Sequence, residues 1–163
     1  MKDLLIVFDL DFTLWNCGDT YCDHTRPPYS ERNGRIYDSA GFEMRLYPET
    51  IILRQELARL EIPIAIASRT GASDQAKELL DLFGIGHYFT GIEMYPGSKI
   101  PHFRSLREKT GIAFNSMHFF DDEYRNIEDA RSLGVNAYYV EDGILFEDVM
   151  SILPENAYIL NKD

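Results

Sequence analysis

The sequence predicts an α/β fold, a doubly wound parallel sheet with helices on both of its faces. Leu4 to Phe8 form a run of five apolar residues, typical of a strand buried on both faces of a parallel sheet. From residue 48 onward, short apolar runs alternate with segments of helical periodicity. With 163 residues, 45% of them hydrophobic, the chain is expected to form a single domain, 1–163, with a full core.

A long segment separates the first predicted strand from the first predicted helix. About 33 residues, 15–47, stand where a strand–helix loop of roughly 2 to 6 residues is expected. They include Asn33-Gly34, a hairpin turn signal, and an alternation of apolar and polar residues from Phe42 to Leu46. The segment therefore predicts a small β-hairpin flap over the end of the first strand. A disordered insertion is the alternative, which the tyrosines and the alternation disfavour.

The remaining elements follow in chain order. The sequence predicts helices that begin near Pro48 and near Ser73, a third helix that ends at Gly111, and helices over Tyr124 to Leu133 and Leu145 to Leu153. It predicts strands over Pro63 to Ala67, Phe89 to Met94, Met117 to Phe120 and Val135 to Val140. Most of these helices carry apolar residues on one face, which in the last helix are Leu145, Val149, Ile152 and Leu153 at helical spacing. The alternation of strands and helices along the chain predicts right-handed crossover connections between parallel strands.

Charge and cysteine content exclude several functional classes. The formal net charge of -11 argues against a nucleic-acid or anionic-membrane partner, which would need a basic surface. No apolar run reaches the roughly 18 residues of a membrane span, and the charged start leads directly into a strand, so we expect a cytoplasmic protein. Cys17 and Cys22 are interpreted as free thiols. No arginine follows either at the spacing of thiolate phosphatases. The histidines, His24, His87, His102 and His118, match no zinc spacing and are interpreted as surface or structural residues.

Polar side chains follow three of the predicted strands, at the edge of the sheet where ligands bind. They are Asp9 and Asp11 after the first strand, Ser68 and Arg69 after the second, and Asp121 and Asp122 after the fourth, with Lys99 in a loop that can reach the same edge. Two carboxylates about 5 Å apart repel by roughly 3 kcal/mol at an effective dielectric of about 20, so such a cluster needs a cation. Carboxylate and carbonyl oxygens without His or Cys suit Mg²⁺.

Structural alternatives stay open for these residues. Asp9 and Asp11 are also compatible with a solvated turn, Ser68 with a helix cap, and Lys99 with an exposed loop position. Arg69 either binds substrate or pairs with a surface acid.

These residues together resemble the four motifs of the haloacid dehalogenase superfamily: DLDFT from Asp9 to Thr13, then Ser68, Lys99 and the Asp121-Asp122 pair. The resemblance is closer to its small magnesium-dependent phosphatases, through the segments DLDFTLW, LYPE, ASRT, YPGSK and FFDDE, which span Val7 to Asn126. It implies a Rossmann-like haloacid dehalogenase core with the flap in place of a cap domain.

The resemblance also implies a role for each residue. Asp9 would be the nucleophile and Asp11 the general acid and base. Mg²⁺ would be held by Asp9, the backbone carbonyl of Asp11 and the acidic pair. That pair departs from the commoner pattern because its acids are adjacent, so the direct ligand is either Asp121 or Asp122, with Asp121 favoured. Thr13 and Ser68 would bind phosphoryl oxygens, and Lys99 would neutralise the phosphoryl group and Asp9.

The function expected from this resemblance is Mg²⁺-dependent hydrolysis of phosphate monoesters through an aspartyl-phosphate. Because the flap leaves the site open, phosphotyrosine-like or phosphosugar substrates are expected, with Trp15, Tyr21 and Tyr29 offering aromatic faces. The alternatives are a receiver-like signalling module, whose order of motifs differs because Lys99 precedes the acidic pair here, and a non-catalytic scaffold.

Overall fold

The computed structural model of the protein describes residues 3–155. These residues form a five-stranded parallel sheet with helices on both faces and a second, four-stranded antiparallel sheet. The predicted fold class is therefore confirmed. The predicted domain range 1–163 includes residues 1–2 and 156–163, which lie outside the described residues. Within 3–155, no helix combines the length and the apolar character needed to cross a membrane.

The two sheets divide the strands by position in the chain. The parallel sheet has the order β7-β6-β1-β8-β9 and contains β1 (Leu5–Phe8), β6 (Ile64–Ser68), β7 (Phe89–Met94), β8 (Met117–Asp121) and β9 (Asn136–Tyr139). The antiparallel sheet has the order β2-β5-β4-β3 and contains β2 (Trp15–Cys17), β3 (Ser30–Arg32), β4 (Arg35–Tyr37) and β5 (Glu43–Leu46). The helices are α1 (Thr50–Arg59), α2 (Ser73–Leu82), α3 (Lys99–Thr110), α4 (Tyr124–Ser132) and α5 (Phe146–Met150).

Successive residues of β1 point to opposite faces of the sheet, so the strand contributes to two separate cores. Ile6 and Phe8 pack in the core that includes apolar residues of α1, α2 and α5. Leu5 and Val7 pack in the core that includes apolar residues of α3 and α4. Because β1 is buried on both faces, its sequence is a continuous apolar run rather than an alternation.

The central position of β1 brings three loops together. β1 pairs in parallel with β6 on one side and with β8 on the other, so the chain order reverses at β1. Asp9 follows β1, Ser68 is the last residue of β6, and Asp121 is the last residue of β8. All three therefore reach the same edge of the sheet, where doubly wound folds bind their ligands.

The flap is larger than the predicted hairpin. Asn33 and Gly34 form the expected turn, both with positive φ (53° and 76°), and join β3 to β4. β5 then pairs with both β4 and β2, which completes a four-stranded sheet. The short β2 was not predicted, because only three residues lie between the tight loop after Leu14 and Gly18.

Several element boundaries differ from prediction, and the last helix, for example, ends at Met150 rather than at Leu153. Helix α1 begins at Thr50, because Pro48 and Glu49 form a turn before it. Lys99 is the first residue of α3 and does not lie in a loop. Helix α5 begins only at Phe146, whose backbone N–H donates to the Glu49 carboxylate, and Leu145 is exposed just before it.

The aromatic faces expected from the flap are mostly buried. Trp15 and Tyr29 lie in the core, so the expectation that they face a substrate is wrong. Both rings belong to the core that also includes apolar residues of α1, α2 and α5. Tyr21 remains, with 42% of its surface exposed.

Candidate active site

A cavity of about 230 Å³ opens at the carboxyl edge of the parallel sheet. Four of the predicted site residues line it: Asp9, Asp11, Ser68 and Arg69. Tyr21 of the flap and Arg125 of α4 also line it. The structure therefore brings the ends of β1 and β6 together around one space, with the flap on one side and α4 on another.

Lys99 lies beneath this cavity as a fully buried ammonium group. Its Nζ is 3.1 Å from Asp9 Oδ1 and 3.2 Å from Asp121 Oδ2, and it also donates to the carbonyl oxygen of Ala67. An ammonium group has three N–H donors, and these three acceptors match them. Lys99 thus joins the two carboxylates from below. A contact between Lys99 and a phosphoryl group stays a prediction.

Three carboxylates form a group that can hold a metal ion. Asp9, Asp121 and Asp122 each offer one oxygen, and these oxygens lie within 4.8 Å of one another. Asp121 is held in place by the backbone N–H of Glu123, at 2.8 Å, and by the side-chain amide of Asn126, at 3.0 Å. An all-oxygen, carboxylate-rich set fits Mg²⁺. The Asp11 carboxylate is not in this group. A metal contact by the Asp11 backbone carbonyl stays a prediction.

The electrostatics of the group also call for a cation. Burial raises the pKa of Asp9 to about 7, although the Lys99 ammonium opposes the shift. Burial and the neighbouring Asp9 raise the pKa of Asp121 to about 7. Burial raises the pKa of Asp122 to about 6. One ammonium is thus too little positive charge to keep all three clustered carboxylates fully ionised at neutral pH.

Lys99 itself stays charged. Burial lowers the pKa of its ammonium group, but Asp9 and Asp121 outweigh that effect and raise the pKa above its ordinary value. A buried lysine with two carboxylate partners is a fixed positive charge over the whole physiological range.

Asp11 is oriented by the flap. Its Oδ1 accepts a hydrogen bond from the Trp15 indole Nε1, at 2.8 Å, and another from the Cys22 backbone N–H, at 2.9 Å. Burial raises the pKa of Asp11, and these two donors oppose that rise. Neither donor was predicted, because no local pattern in the sequence pairs Trp15 or Cys22 with an aspartate.

Ser68 and Arg69 lie at the cavity as predicted, but Thr13 does not. The Ser68 hydroxyl accepts the backbone N–H of Thr70 at 3.2 Å, and Arg69 Nη1 donates to the Asn126 side-chain oxygen at 3.3 Å. Thr13 is fully buried in the loop after Leu10, and its hydroxyl has no hydrogen-bond partner among residues 3–155. The structure therefore gives no support to a phosphoryl contact by the Thr13 side chain.

His102 is a structural residue next to the site. It is fully buried, and its ring stacks on Tyr95 with centroids 4.1 Å apart. Its ring nitrogens lie 2.9 to 3.0 Å from the carbonyl oxygens of Ser68, Tyr95 and Ser98. It thereby ties the end of β6 to the loop that precedes Lys99. The histidines are interpreted as surface or structural residues, and His102 is a structural one.

The predicted site residues at the carboxyl edge of one parallel sheet form the arrangement expected for a phosphatase of the haloacid dehalogenase superfamily. Residues 3–155 match the acid phosphatase family. The chain belongs to that family. The predicted resemblance to the magnesium-dependent phosphatases of the haloacid dehalogenase superfamily is confirmed, and so is the prediction that the chain is an enzyme.

Known relatives agree with this assignment. Magnesium-dependent phosphatase 1 of Homo sapiens is 46% identical over 142 residues, which cover 86% of this chain and 79% of that protein. A HAD-like hydrolase superfamily protein of Schizosaccharomyces pombe is 36% identical over 140 residues, covering 80% of this chain and 81% of that protein.

A solved structure shares the fold. A haloacid dehalogenase family enzyme of Bacteroides thetaiotaomicron, crystallised with magnesium and inorganic phosphate, superimposes with a TM-score of 0.66 at 15% identity. The match covers 90% of this chain and 98% of that chain. The name of the human relative describes that protein as magnesium-dependent, which agrees with the prediction of Mg²⁺ as cofactor.

Proposed function

We propose that this protein hydrolyses phosphate monoesters through an aspartyl-phosphate formed on Asp9, with Mg²⁺ as cofactor. One observation carries the proposal: the Asp9 carboxylate lines the cavity, while Lys99 joins it to Asp121 and Asp122 lies beside it. A nucleophilic carboxylate has to be ionised and yet meet a dianionic phosphate. This arrangement supplies part of the positive charge that such an encounter needs.

The residues that would hold Mg²⁺ are Asp9, the backbone carbonyl of Asp11, and the acidic pair Asp121 and Asp122. When bound, Mg²⁺ neutralises negative charge on these carboxylates and on the phosphoryl oxygens. With three carboxylates at −3 and a phosphate dianion at about −2, Mg²⁺ and Lys99 return +3. Lys99 supplies one of these positive charges permanently, from the buried side of the Asp9 carboxylate.

The chemical steps are assigned to Asp9 and Asp11. A carboxylate oxygen of Asp9 attacks phosphorus, and the bond from phosphorus to the leaving oxygen breaks while Asp11 donates a proton to that oxygen. Water then attacks the phosphorus of the aspartyl-phosphate, and Asp11 accepts a proton from this water. The bond between phosphorus and Asp9 breaks, which releases inorganic phosphate and restores both residues. Ser68 and Arg69 line the same cavity and are the proposed ligands of the phosphoryl oxygens.

The metal-ligand assignment predicts unequal effects for the two members of the acidic pair. Asp121 is fully buried and held by Glu123 and Asn126, whereas Asp122 is only half-buried. With Asp121 as the direct ligand and Asp122 supporting it from outside, we expect Asp121→Asn to weaken Mg²⁺ binding by about 100-fold or more. We expect Asp122→Asn to weaken it less, because residues outside the direct ligands typically contribute roughly 10- to 100-fold. Isothermal titration calorimetry with MgCl₂ measures the Mg²⁺ affinity of both variants.

Asp81→Asn, at an exposed position on α2, is the control and should bind Mg²⁺ like the parent protein. A larger loss in Asp122→Asn than in Asp121→Asn would reverse the order of the two residues.

The shape of the cavity supports a substrate of moderate size. It holds about 230 Å³ and is bordered by an antiparallel flap instead of a separate cap. Tyr21 is the aromatic residue of the flap that lines it. We propose phosphotyrosine-like or phosphosugar monoesters as substrates.

A panel of phosphate esters tests this proposal. We expect kcat/KM for phosphotyrosine or a hexose phosphate to exceed that for acetyl phosphate by roughly tenfold, since bound leaving groups contribute to transition-state binding. If the protein prefers acetyl phosphate, the open cavity does not select larger leaving groups.

We also propose that the chain works in the cytoplasm as one domain with the flap as an insertion, and without a nucleic-acid partner. Cys17 and Cys22 are free, buried thiols, in keeping with a reducing compartment. The net charge of -11 opposes binding to nucleic acids.

A further inference from the structure

Two N–H groups from the flap converge on one oxygen of Asp11. The indole Nε1 of Trp15 and the backbone nitrogen of Cys22 both donate to Oδ1, at 2.8 and 2.9 Å. Asp11 lines the cavity, whereas Trp15 is fully buried and does not line it. Trp15 therefore reaches the site through its hydrogen bond to Asp11.

The backbone between Asp11 and Trp15 builds this contact. Phe12 has a positive φ of 61°, and its N–H donates to the carbonyl oxygen of Trp15 at 2.8 Å. Asp11 and Trp15 form an isolated β-bridge, so the loop folds the indole back toward the aspartate that precedes it. A non-glycine residue with positive φ is uncommon and needs support from its surroundings.

The indole is held rigidly from its other side. Trp15 pairs with Leu46 of β5 in the flap sheet, and its ring packs against Phe83 with centroids 6.2 Å apart. Because the ring is fully buried and closely packed in this core, its surroundings orient its N–H. Through its hydrogen bond, the N–H orients the Asp11 carboxylate in turn.

We propose that Trp15 is a positioning residue for general acid catalysis by Asp11. An oxygen that accepts two N–H bonds is occupied as an acceptor, so the transferable proton is carried by the other oxygen, Oδ2. Trp15 thereby selects the oxygen that delivers the proton to the leaving group. This inference rests on the role given to Asp11 in the proposed function. If Trp15 had a purely structural role, Asp11 would serve only to accept the hydrogen bond of its buried indole N–H.

A spectroscopic measurement tests the contact without substrate or metal. Trp15 is the single tryptophan of the chain, so one indole N–H resonance is expected in a ¹⁵N-correlated spectrum. We expect Asp11→Asn to shift this resonance and to speed its exchange with solvent, because a charge-assisted hydrogen bond becomes a neutral one. Asp81→Asn should leave it unchanged. If the indole resonance and its exchange rate are unchanged in Asp11→Asn, the proposal is overturned.

A leaving-group series tests the catalytic part. Replacing Trp15 by 3-benzothienylalanine keeps the shape of the ring and removes its N–H, and Trp15→Phe is the genetic counterpart. We expect kcat/KM to fall about tenfold for phenyl phosphate or an alkyl phosphate, the size expected for one charge-assisted hydrogen bond. For p-nitrophenyl phosphate, whose leaving group needs little protonation, we expect a change of less than about threefold. Both variants should keep KM within about twofold, because Trp15 does not touch the substrate.

An equal loss for every leaving group would mean that Trp15 only supports the fold, which overturns the inference. Asp11→Asn in the same series separates this inference from the proposed function. If Asp11→Asn shows the leaving-group dependence and the Trp15 variants do not, only the inference fails. If Asp11→Asn lacks it as well, the proposed acid role of Asp11 fails too.

Discussion

Asp9→Asn is expected to abolish Mg²⁺-dependent release of phosphate from p-nitrophenyl phosphate, with a loss of roughly 10⁴- to 10⁶-fold in kcat. An amide cannot attack phosphorus as a carboxylate does, and the two side chains have nearly the same shape. In this variant Lys99 would keep Asp121 and the Ala67 carbonyl as acceptors. The fold should therefore persist, which circular dichroism and thermal unfolding can check.

The matched control is Asp81→Asn, which removes an exposed carboxylate on α2 and should retain the activity of the parent protein. Turnover in Asp9→Asn within about tenfold of the parent would exclude Asp9 as the nucleophile.

Lys99→Met is expected to reduce both stability and activity. The ammonium group is fully buried between Asp9 and Asp121, and removal of one member of a buried ion pair typically costs about 3 to 5 kcal/mol in the free energy of unfolding. Loss of a preorganised charge next to the nucleophile should lower kcat by about 10²- to 10³-fold. Urea unfolding and steady-state kinetics measure the two effects separately.

The loss of stability should depend on pH. Without the ammonium group, the pKa values of Asp9 and Asp121 in the folded protein rise further above their unfolded values, from the present values of about 7. Between about pH 4 and these folded values, the folded state then binds more protons than the unfolded state, so stability falls as pH rises. The difference between Lys99→Met and the parent protein should therefore be larger at about pH 8 than at about pH 5.

Mg²⁺ should restore part of the lost stability at about pH 8, since it returns positive charge to the same carboxylates. Lys77→Met, at an exposed position on α2, should unfold like the parent at both pH values. A deficit in Lys99→Met that does not change with pH would show that Lys99 acts through packing rather than charge.

The core fold was predictable because its signals are local. The apolar run of β1 and the helical spacing in α2 depend on residues close together in the chain, and so does the turn at Asn33-Gly34. The carboxylates at the strand ends were predictable for the same reason. A parallel sheet brings the ends of β1, β6 and β8 to one edge whatever the loops do.

The features that were missed depend on contacts between distant residues. Trp15 and Tyr29 were expected to face a substrate, but the flap packs them into the core, and an aromatic residue in an insertion has no local signal for either outcome. Likewise, helix α5 begins later than its apolar spacing predicts, at Phe146, whose N–H is bound by the distant Glu49. The buried position of the Thr13 hydroxyl also depends on how the loop after Leu10 folds.

The two edge strands of the flap sheet differ in burial. In β2 the side chains of Trp15 and Cys17 are buried, whereas all three residues of β3 are exposed. The hairpin tip at Asn33-Gly34 is therefore the place to attach a fluorophore or an affinity tag without disturbing catalysis. An insertion of one residue before Trp15 would have the opposite outcome, since it would turn the indole away and release the carboxylate it holds.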